Sequence, residues 1–160
     1  MSDIRVPWIV LKFGGTSVST PENWGTIADV VSERVVEGFR PLIVQSALEG
    51  VTLQLERLVE AASMGDADLS VESIAQAHAE LLDAKGVHQP DLFARDVDKL
   101  TPLLETISMA REASPANKAR ALAIGEYMAT RVGAALLAAS GVEAVWVDAR
   151  DLLVSGPSTR

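Results

Sequence analysis

A short apolar segment that ends abruptly at two adjacent glycines is the feature that most constrains how this chain can fold. Trp8–Phe13 is rich in residues that favour β structure, and Gly14 and Gly15 close it, which predicts a buried strand. A second short apolar strand is predicted at Leu42–Val44, after an intervening helix. Two strands joined by one helix form a βαβ unit, so we expect parallel pairing and a right-handed crossover.

Most of the remaining sequence has a helical pattern. Thr20 followed by Pro21 is typical of the start of a helix, which is expected to end near Gly38. Four more helices are predicted, over residues 52–63, 70–85, 90–111 and 115–140. Residues 144–147 predict a third strand. The pattern indicates an α/β fold in which helices outnumber strands.

The small number of strands bears on the length of the domain. Sheets usually have about 4–6 strands, and a thinner sheet would leave strand edges and helix faces uncovered. A chain of 160 residues is an ordinary length for one domain. Because the predicted sheet is so thin, however, we expect residues 1–160 to be the N-terminal part of a larger α/β domain.

The composition excludes several classes of function. There is no cysteine, which rules out disulfides, zinc–thiolate and iron–sulfur sites and thiol nucleophiles. The formal net charge of −8 disfavours non-specific binding to nucleic acid or to an anionic membrane. No apolar run approaches the ~18 residues of a membrane span, and the N-terminus lacks a signal-peptide core, so we expect a cytoplasmic protein. His78 and His88 have no partner at metal-ligand spacing, and no metal site is predicted.

The first candidate site is the glycine loop between the first strand and the first helix. Adjacent Gly14 and Gly15 let the backbone approach a ligand closely and expose consecutive N–H groups, which suits phosphate oxygens. Lys12 would supply a positive charge to a phosphate, and Thr16 or Ser17 would donate hydroxyl hydrogen bonds. The alternative is an ordinary glycine turn with a solvated lysine. A lysine inside a buried strand favours the functional interpretation, because a buried ammonium needs an anionic partner.

The second candidate site follows the second strand. Ligands of parallel α/β sheets bind at the carboxyl ends of the strands, so Ser46 and Thr52 would lie beside the glycine loop. The alternative is that Thr52 only caps the helix that follows it. Spacing alone favours the capping interpretation.

The third candidate site is Gly125-Glu126, in the middle of a predicted helix. A glycine there costs about 1 kcal/mol relative to alanine, so we expect another part of the chain to come close. Glu126 would bind the ammonium group of a substrate. The alternative, an exposed carboxylate between two core faces, is equally consistent with the sequence.

Taken together, these segments resemble the aspartate kinase family within the amino-acid kinase superfamily, over residues from about 8 to 154. The most specific element is Lys-Phe-Gly-Gly-Thr-Ser-Val at 12–18, which matches that family's signature. Ser-Ala-Leu-Glu-Gly-Val-Thr at 46–52 is similar to its Ser-Ala-x-x-Gly-hydrophobic-Thr segment, and Gly125-Glu126 is similar to its Gly-Glu helix. Gln45 and Leu53 depart from the pattern, which has a small or apolar residue and usually asparagine at these positions.

The resemblance implies a three-layer αβα fold with a mainly parallel sheet, as in carbamate kinase-like proteins. It implies ATP-dependent phosphorylation of the L-aspartate side-chain carboxylate to 4-phospho-L-aspartate, the first step toward lysine, threonine and methionine. By the same resemblance, Lys12 would contact the transferred phosphate, and Glu126 would bind the α-ammonium of aspartate. The phosphates would lie among Gly14, Gly15, Thr16 and Ser17, with Ser46 and Thr52 at the aspartate pocket.

The resemblance further implies Mg²⁺ held mainly through the nucleotide, and a homo-oligomer when the protein is full length. The family's nucleotide-binding half and its regulatory ACT domains have no counterpart up to residue 160, so we expect this segment alone to be inactive. Two alternatives stay open. One is another amino-acid kinase, such as an acetylglutamate or uridylate kinase, and the other is a non-catalytic module that binds small anions or contributes to oligomer assembly.

Overall fold

A computed structural model describes residues 6–66, 70–89 and 91–153. The described chain is helical apart from two strands and the loops. In chain order the elements are β1 (Trp8–Phe13), α1 (Gly15–Val18), α2 (Pro21–Val36), β2 (Arg40–Gln45), α3 (Val51–Ser63), α4 (Glu72–Asp83), α5 (Ala94–Ala110), α6 (Pro115–Ala139) and α7 (Ala149–Leu152).

The predicted βαβ unit is present at the N-terminus. β1 and β2 pair in parallel, in a register that runs from Trp8 opposite Arg40 to Phe13 opposite Gln45. The connecting helix α2 begins as predicted, because the Thr20 side chain caps it by accepting a hydrogen bond from the Asn23 N–H at 3.3 Å. Parallel pairing brings the ends of both strands, and the loops that follow them, to the same edge of the sheet.

The two faces of this strand pair differ, which corrects the prediction of a buried first strand. Burial alternates along both strands, so one face is half-buried against the helices and the other is exposed. The half-buried face packs against the core through Leu11, Phe13 and Ile43. Lys12 lies among the exposed positions. The apolar sequence of these strands therefore does not mean that both faces are covered in this structure.

The longest helix, α6, forms the centre of the core. It contacts α2, α3, α4 and α5 as well as β2, and Met128, Val132 and Leu136 are buried along its length. Contrary to the expectation from the sequence, α6 meets the length and composition criteria for a membrane span, with a mean hydropathy of 1.2. Since 56% of the 18-residue segment of α6 that meets these criteria is buried inside the protein, α6 has the character of a core helix.

The predicted third strand is not formed. Residues 144–147 pair with no strand. Within the described parts of the chain, the sheet consists of β1 and β2 alone. Side-chain contacts with α6 hold this segment in place: the Trp146 Nε1–H donates to the Thr130 hydroxyl at 2.9 Å, and the Arg131 guanidinium lies 4.7 Å from the Trp146 ring centroid. Val145 remains 83% exposed. The helix expected from residue 90 begins at Ala94, and position 90 lies outside the described residues.

Candidate functional site

The glycine loop after β1 folds into a short helical turn that the following residues hold in place. The Ser19 hydroxyl donates to the Gly15 carbonyl at 2.6 Å, and the Trp24 indole N–H donates to the Val18 carbonyl at 2.9 Å. Val18 and Trp24 are both buried in the core. The backbone of the loop is therefore fixed before any ligand arrives, which is what a preorganised anion site needs.

The glycine loop is also bound to the loop after β2. Ser19 Oγ accepts a hydrogen bond from the Glu49 backbone N–H at 2.7 Å, and the Ser46 N–H donates to the Phe13 carbonyl at 3.2 Å. A Cβ at Gly15 would lie 2.9 Å from the Ala47 carbonyl oxygen, closer than real Cβ atoms approach. Gly15 is thus required by the close approach of the two loops, which form one rigid edge.

Gly14 and Lys12 lie on the open side of this edge. Gly14 has an extended backbone that any residue could adopt, and a Cβ there would meet only Lys12 Nζ, at 3.6 Å. The chain's own contacts therefore do not require glycine at this position. Lys12 is exposed, whereas the sequence predicted a lysine inside a buried strand. Its ammonium group therefore does not need an anionic partner to offset burial.

Glu126 lies close to these loops, although it is far from them in the sequence. A Cβ at the preceding residue, Gly125, would lie 3.5 Å from Ala47 Cβ. The Ala47 backbone and the charge of Lys12 both lower the pKa of Glu126. Burial outweighs them, so the net effect is a pKa raised above the ordinary value for glutamate. Glu126 is therefore neither an exposed helix residue nor a neutralised ion pair. It is a half-buried carboxylate that a cation would stabilise.

The glycine before Glu126 is explained by close packing, as the sequence predicted. A Cβ at Gly125 would lie 2.9 Å from both Leu55 Cδ1 and Val51 Cγ1, two buried side chains of α3. Without a side chain at this position, α6 can approach the start of α3 closely. This approach brings Glu126 to the loop after β2.

Ser46 and Thr52 lie on either side of the turn between β2 and α3. Ser46 is half-buried directly after β2, whereas Thr52 is exposed in the first turn of α3. The capping interpretation of Thr52 is wrong, because Gly50 occupies the N-cap position with φ of +79° and no side-chain cap. A glycine tolerates this left-handed conformation at little cost. The proposed contacts of Ser46 and Thr52 with a substrate stay predictions.

Gln45 is a residue of this edge that the sequence interpretation did not place. Its side-chain Nε2–H donates to the Ala129 carbonyl of α6 at 2.6 Å. Gly133 makes room for it, since a Cβ there would lie 2.3 Å from Gln45 Oε1. The signal was present in the sequence: Gln45 is an amide at an inward-facing position of an otherwise apolar strand end.

A second polar cluster lies on the other side of α6, where the 144–150 segment packs. Arg131 forms an ion pair with the fully buried Asp96 at 2.8 Å and joins α6 to α5. Arg150 pairs with Asp148, which lowers the pKa of Asp148 to about 2, and its guanidinium lies 4.6 Å from the centroid of the Tyr127 ring. The Arg131 pair joins two core helices, and the contacts of Trp146 and Arg150 hold the 144–150 segment against α6.

Within the described residues, no group of three or more histidine, aspartate or glutamate side chains is arranged to hold a metal ion. His78, one of the two histidines without a partner at metal-ligand spacing in the sequence, is fully buried. Its Nδ1 bonds to the Ile74 carbonyl at 2.7 Å, and its ring lies 5.9 Å from that of Phe93. It is a core residue rather than a ligand.

A strand-end glycine loop, an adjacent lysine and a half-buried carboxylate from a core helix thus lie together at one edge of the strand pair. The chain belongs to the amino acid kinase family, which matches residues 7–159. This establishes the α/β fold class that the sequence predicted.

Within that family, the chain is similar to aspartokinases, as the resemblance indicated. It is 34% identical over 161 residues to the bifunctional aspartokinase/homoserine dehydrogenase 1 of Arabidopsis thaliana, covering 95% of this chain and 17% of that protein. It is 30% identical over 151 residues to the lysine-sensitive aspartokinase 3 of Escherichia coli K12, covering 91% of this chain and 32% of that protein.

Solved structures agree with the sequence relatives. The fold matches E. coli aspartokinase III in complex with aspartate and ADP with a TM-score of 0.61 and 27% identity, over 90% of this chain and 31% of that one. It also matches the complex of that enzyme with lysine and aspartate, with a TM-score of 0.56. In each case the chain spans no more than about a third of the protein it matches.

Proposed function

We propose that this chain carries the phosphate-binding loop and part of the amino-acid site of an aspartate kinase. The reaction is the transfer of the γ-phosphoryl group of ATP to the side-chain carboxylate of L-aspartate, which gives 4-phospho-L-aspartate and ADP. The observation that carries the proposal is the convergence of Lys12, the glycine loop and Glu126 at one edge of the parallel strand pair. The aspartate- and ADP-bound relative supports the same pair of ligands.

The glycine loop and Lys12 account for the phosphate. A Cβ at Gly14 would lie 3.6 Å from Lys12 Nζ and meet no other atom, so phosphate oxygens can approach both the Gly14 backbone and the Lys12 ammonium there. Thr16 and Ser17 are exposed in the fixed turn and add hydroxyl donors. Phosphoryl transfer depends mainly on positioning and on neutralising charge, which is what these groups supply.

Glu126 accounts for the amino acid. Its half-buried carboxylate is stabilised by the Ala47 backbone and by Lys12 but remains under-compensated, which gives it affinity for a cation. In this proposal the α-ammonium of L-aspartate occupies that place. Ser46 and Thr52, at the turn after β2, complete the part of the pocket that this chain provides.

The chemistry asks little more of these residues. A carboxylate oxygen of aspartate attacks the γ-phosphorus, the bond from that phosphorus to the β,γ-bridging oxygen breaks, and ADP takes the electron pair. The nucleophile is already ionised, so no general base is required. Mg²⁺ held through the nucleotide would supply further neutralisation of the phosphate charge, and Lys12 adds a fixed positive charge where negative charge develops.

The proposal extends to the setting of the enzyme. We infer that it acts in amino-acid biosynthesis in the cytoplasm, that it is a homo-oligomer when full length, and that it uses neither nucleic acid nor membrane as a partner. We also infer that residues 1–160, which span no more than about a third of the proteins they match, do not phosphorylate aspartate on their own.

An enzyme-coupled assay of ADP release tests the proposal, using the natural full-length protein that contains this chain. Lys12→Ala should lower kcat by about 10²–10³-fold with a smaller change in KM, because a charge aimed at the transition state is lost. Lys118→Ala is the matched control, since Lys118 is an exposed lysine that pairs with Glu56 away from the loops. Unchanged kinetics in Lys12→Ala would remove the role of Lys12, and turnover of N-acetylglutamate or UMP in preference to aspartate would remove the substrate.

A further inference from the structure

Gln45 is one of two residues, with Leu53, at which this chain departs from the pattern of the aspartate kinase family. The kinetic role of Gln45 rests on the proposed function, whereas its geometry is given by the structure alone. Gln45 ends β2 and directly precedes Ser46 and Ala47 of the second loop. Its side chain is half-buried and faces α6 rather than solvent.

The end of β2 and the loop after it contact α6 at two points. The Gln45 amide donates to the Ala129 carbonyl at 2.6 Å, and two residues further along, Ala47 lies against the helix beside Glu126, since a Cβ at Gly125 would lie 3.5 Å from Ala47 Cβ. Glu126 and Ala129 are three residues apart, so they lie on one face of the helix. The two contacts therefore hold the same turn of α6, the turn that carries Glu126.

The helix is shaped to receive this side chain. A Cβ at Gly133 would lie 2.3 Å from Gln45 Oε1, 3.1 Å from Gln45 Cδ and 2.6 Å from Trp24 Cη2. Gln45 therefore occupies a notch in α6 that only a glycine leaves open. A mid-helix glycine costs about 1 kcal/mol relative to alanine, and here it allows the amide to reach the helix backbone.

We propose that Gln45 is a positioning residue that sets the place of α6 along the strand end, so that Glu126 lies beside the Ala47 loop at the amino-acid pocket. Gln45 acts through α6, at Ala129 and Gly133, rather than by direct contact with the substrate. A carboxylate that has to meet an ammonium loses much of its value if its helix shifts by a fraction of a turn. The Gln45 amide prevents that shift by bonding to a backbone atom, whose position depends only on the helix.

The test compares Gln45→Met with Gln54→Met in the natural full-length protein. Methionine keeps the length of the side chain and removes its donor, and Gln54 is an exposed residue of α3 that serves as the matched control. For Gln45→Met we expect a roughly 3–10-fold higher KM for L-aspartate, from the loss of about one hydrogen bond. KM for ATP should stay unchanged, and Gln54→Met should match the wild type.

A second readout does not depend on the activity. Hydrogen exchange, followed by mass spectrometry on the peptide that contains Ala47, should become faster in Gln45→Met, because the loop after β2 loses its hydrogen bond to α6. Faster exchange in a protein that does not phosphorylate aspartate would support the positioning role and overturn the proposed function. Wild-type exchange at Ala47, or equal rises in KM for aspartate and for ATP, would overturn the positioning role.

Discussion

At the scale of single residues, burial controls the protonation of Glu126 and thereby its contribution to stability. Its carboxylate is half-buried, and its pKa is raised because burial outweighs the effects of the Ala47 backbone and of the charge of Lys12. A raised pKa means that the folded state holds the proton more tightly than the unfolded state does. The contribution of Glu126 to stability is therefore largest at low pH and is lost as pH rises through its folded pKa. At neutral pH the free protein bears the cost of an ionised, under-compensated group.

From this we predict that Glu126→Gln separates stability from function. The free energy of unfolding near pH 7 should not fall, because the cost of ionisation disappears. KM for L-aspartate should rise by roughly 10–100-fold, the value of a charge-assisted hydrogen bond. In the wild type, kcat/KM for aspartate should decline with falling pH at higher pH than an ordinary glutamate would produce.

Urea unfolding and steady-state kinetics on the same preparations check both parts of this prediction. Glu56→Gln is the control, since Glu56 is a partly exposed glutamate that pairs with Lys118. If Glu126→Gln instead loses several kcal/mol of stability with no selective effect on aspartate, its carboxylate has a structural role only.

At the scale of elements, the two strand-end loops behave as one unit because they hold each other. Gly15 lies against the Ala47 carbonyl, and Ser19 bridges the Gly15 carbonyl and the Glu49 N–H. Gly14 has neither a close contact of this kind nor a left-handed backbone. The two adjacent glycines therefore have different reasons to be glycine, one for packing and one for an open surface.

Alanine substitutions at these two glycines should accordingly have different effects. Gly15→Ala forces the Ala47 loop to move and should cost about 1–3 kcal/mol of stability, as overpacking does. Gly14→Ala should change stability by less than about 0.5 kcal/mol, as at a surface position, yet still lower kcat/KM for ATP by covering the place of the phosphate. Thermal unfolding together with kinetics distinguishes the two, and equal losses of stability would contradict the assignment.

At the scale of the whole molecule, local signals predicted more than long-range ones. The βαβ unit, the cap at Thr20 and the glycine loop all follow from neighbouring residues, and all are present. The approach of Glu126 to Ala47 and the seat of Gln45 against Ala129 depend on how helices pack, which the sequence of one segment does not specify. The strand expected at residues 144–147 failed for the same reason, since a strand needs a neighbour and its pattern alone cannot supply one.

A histidine deep in the core makes the stability of the whole fold depend on pH. His78 is fully buried on α4, with Nδ1 bonded to the Ile74 carbonyl and Nε2 without a partner among the described residues. Burial lowers the pKa of His78, and the Ile74 hydrogen bond opposes this only in part. The unfolded chain therefore binds a proton at a pH where the folded chain does not, so stability falls as the pH drops below about 6.5.

Between pH 7.5 and 5.5, His78 should account for a loss of at most about 1.4 kcal/mol in the free energy of unfolding, from one proton taken up on unfolding. Urea titrations at the two pH values measure the total loss, to which carboxylates also contribute. His78→Gln removes the titrating group and should reduce the difference between the two pH values, whatever its own cost in stability. His88→Gln, at the exposed histidine, is the matched control. Both variants remove one histidine, but only His78 is enclosed by the core, so the comparison isolates the buried ring. If the loss of unfolding free energy between pH 7.5 and 5.5 is the same in both variants, His78 is protonated as freely in the folded chain as in the unfolded one.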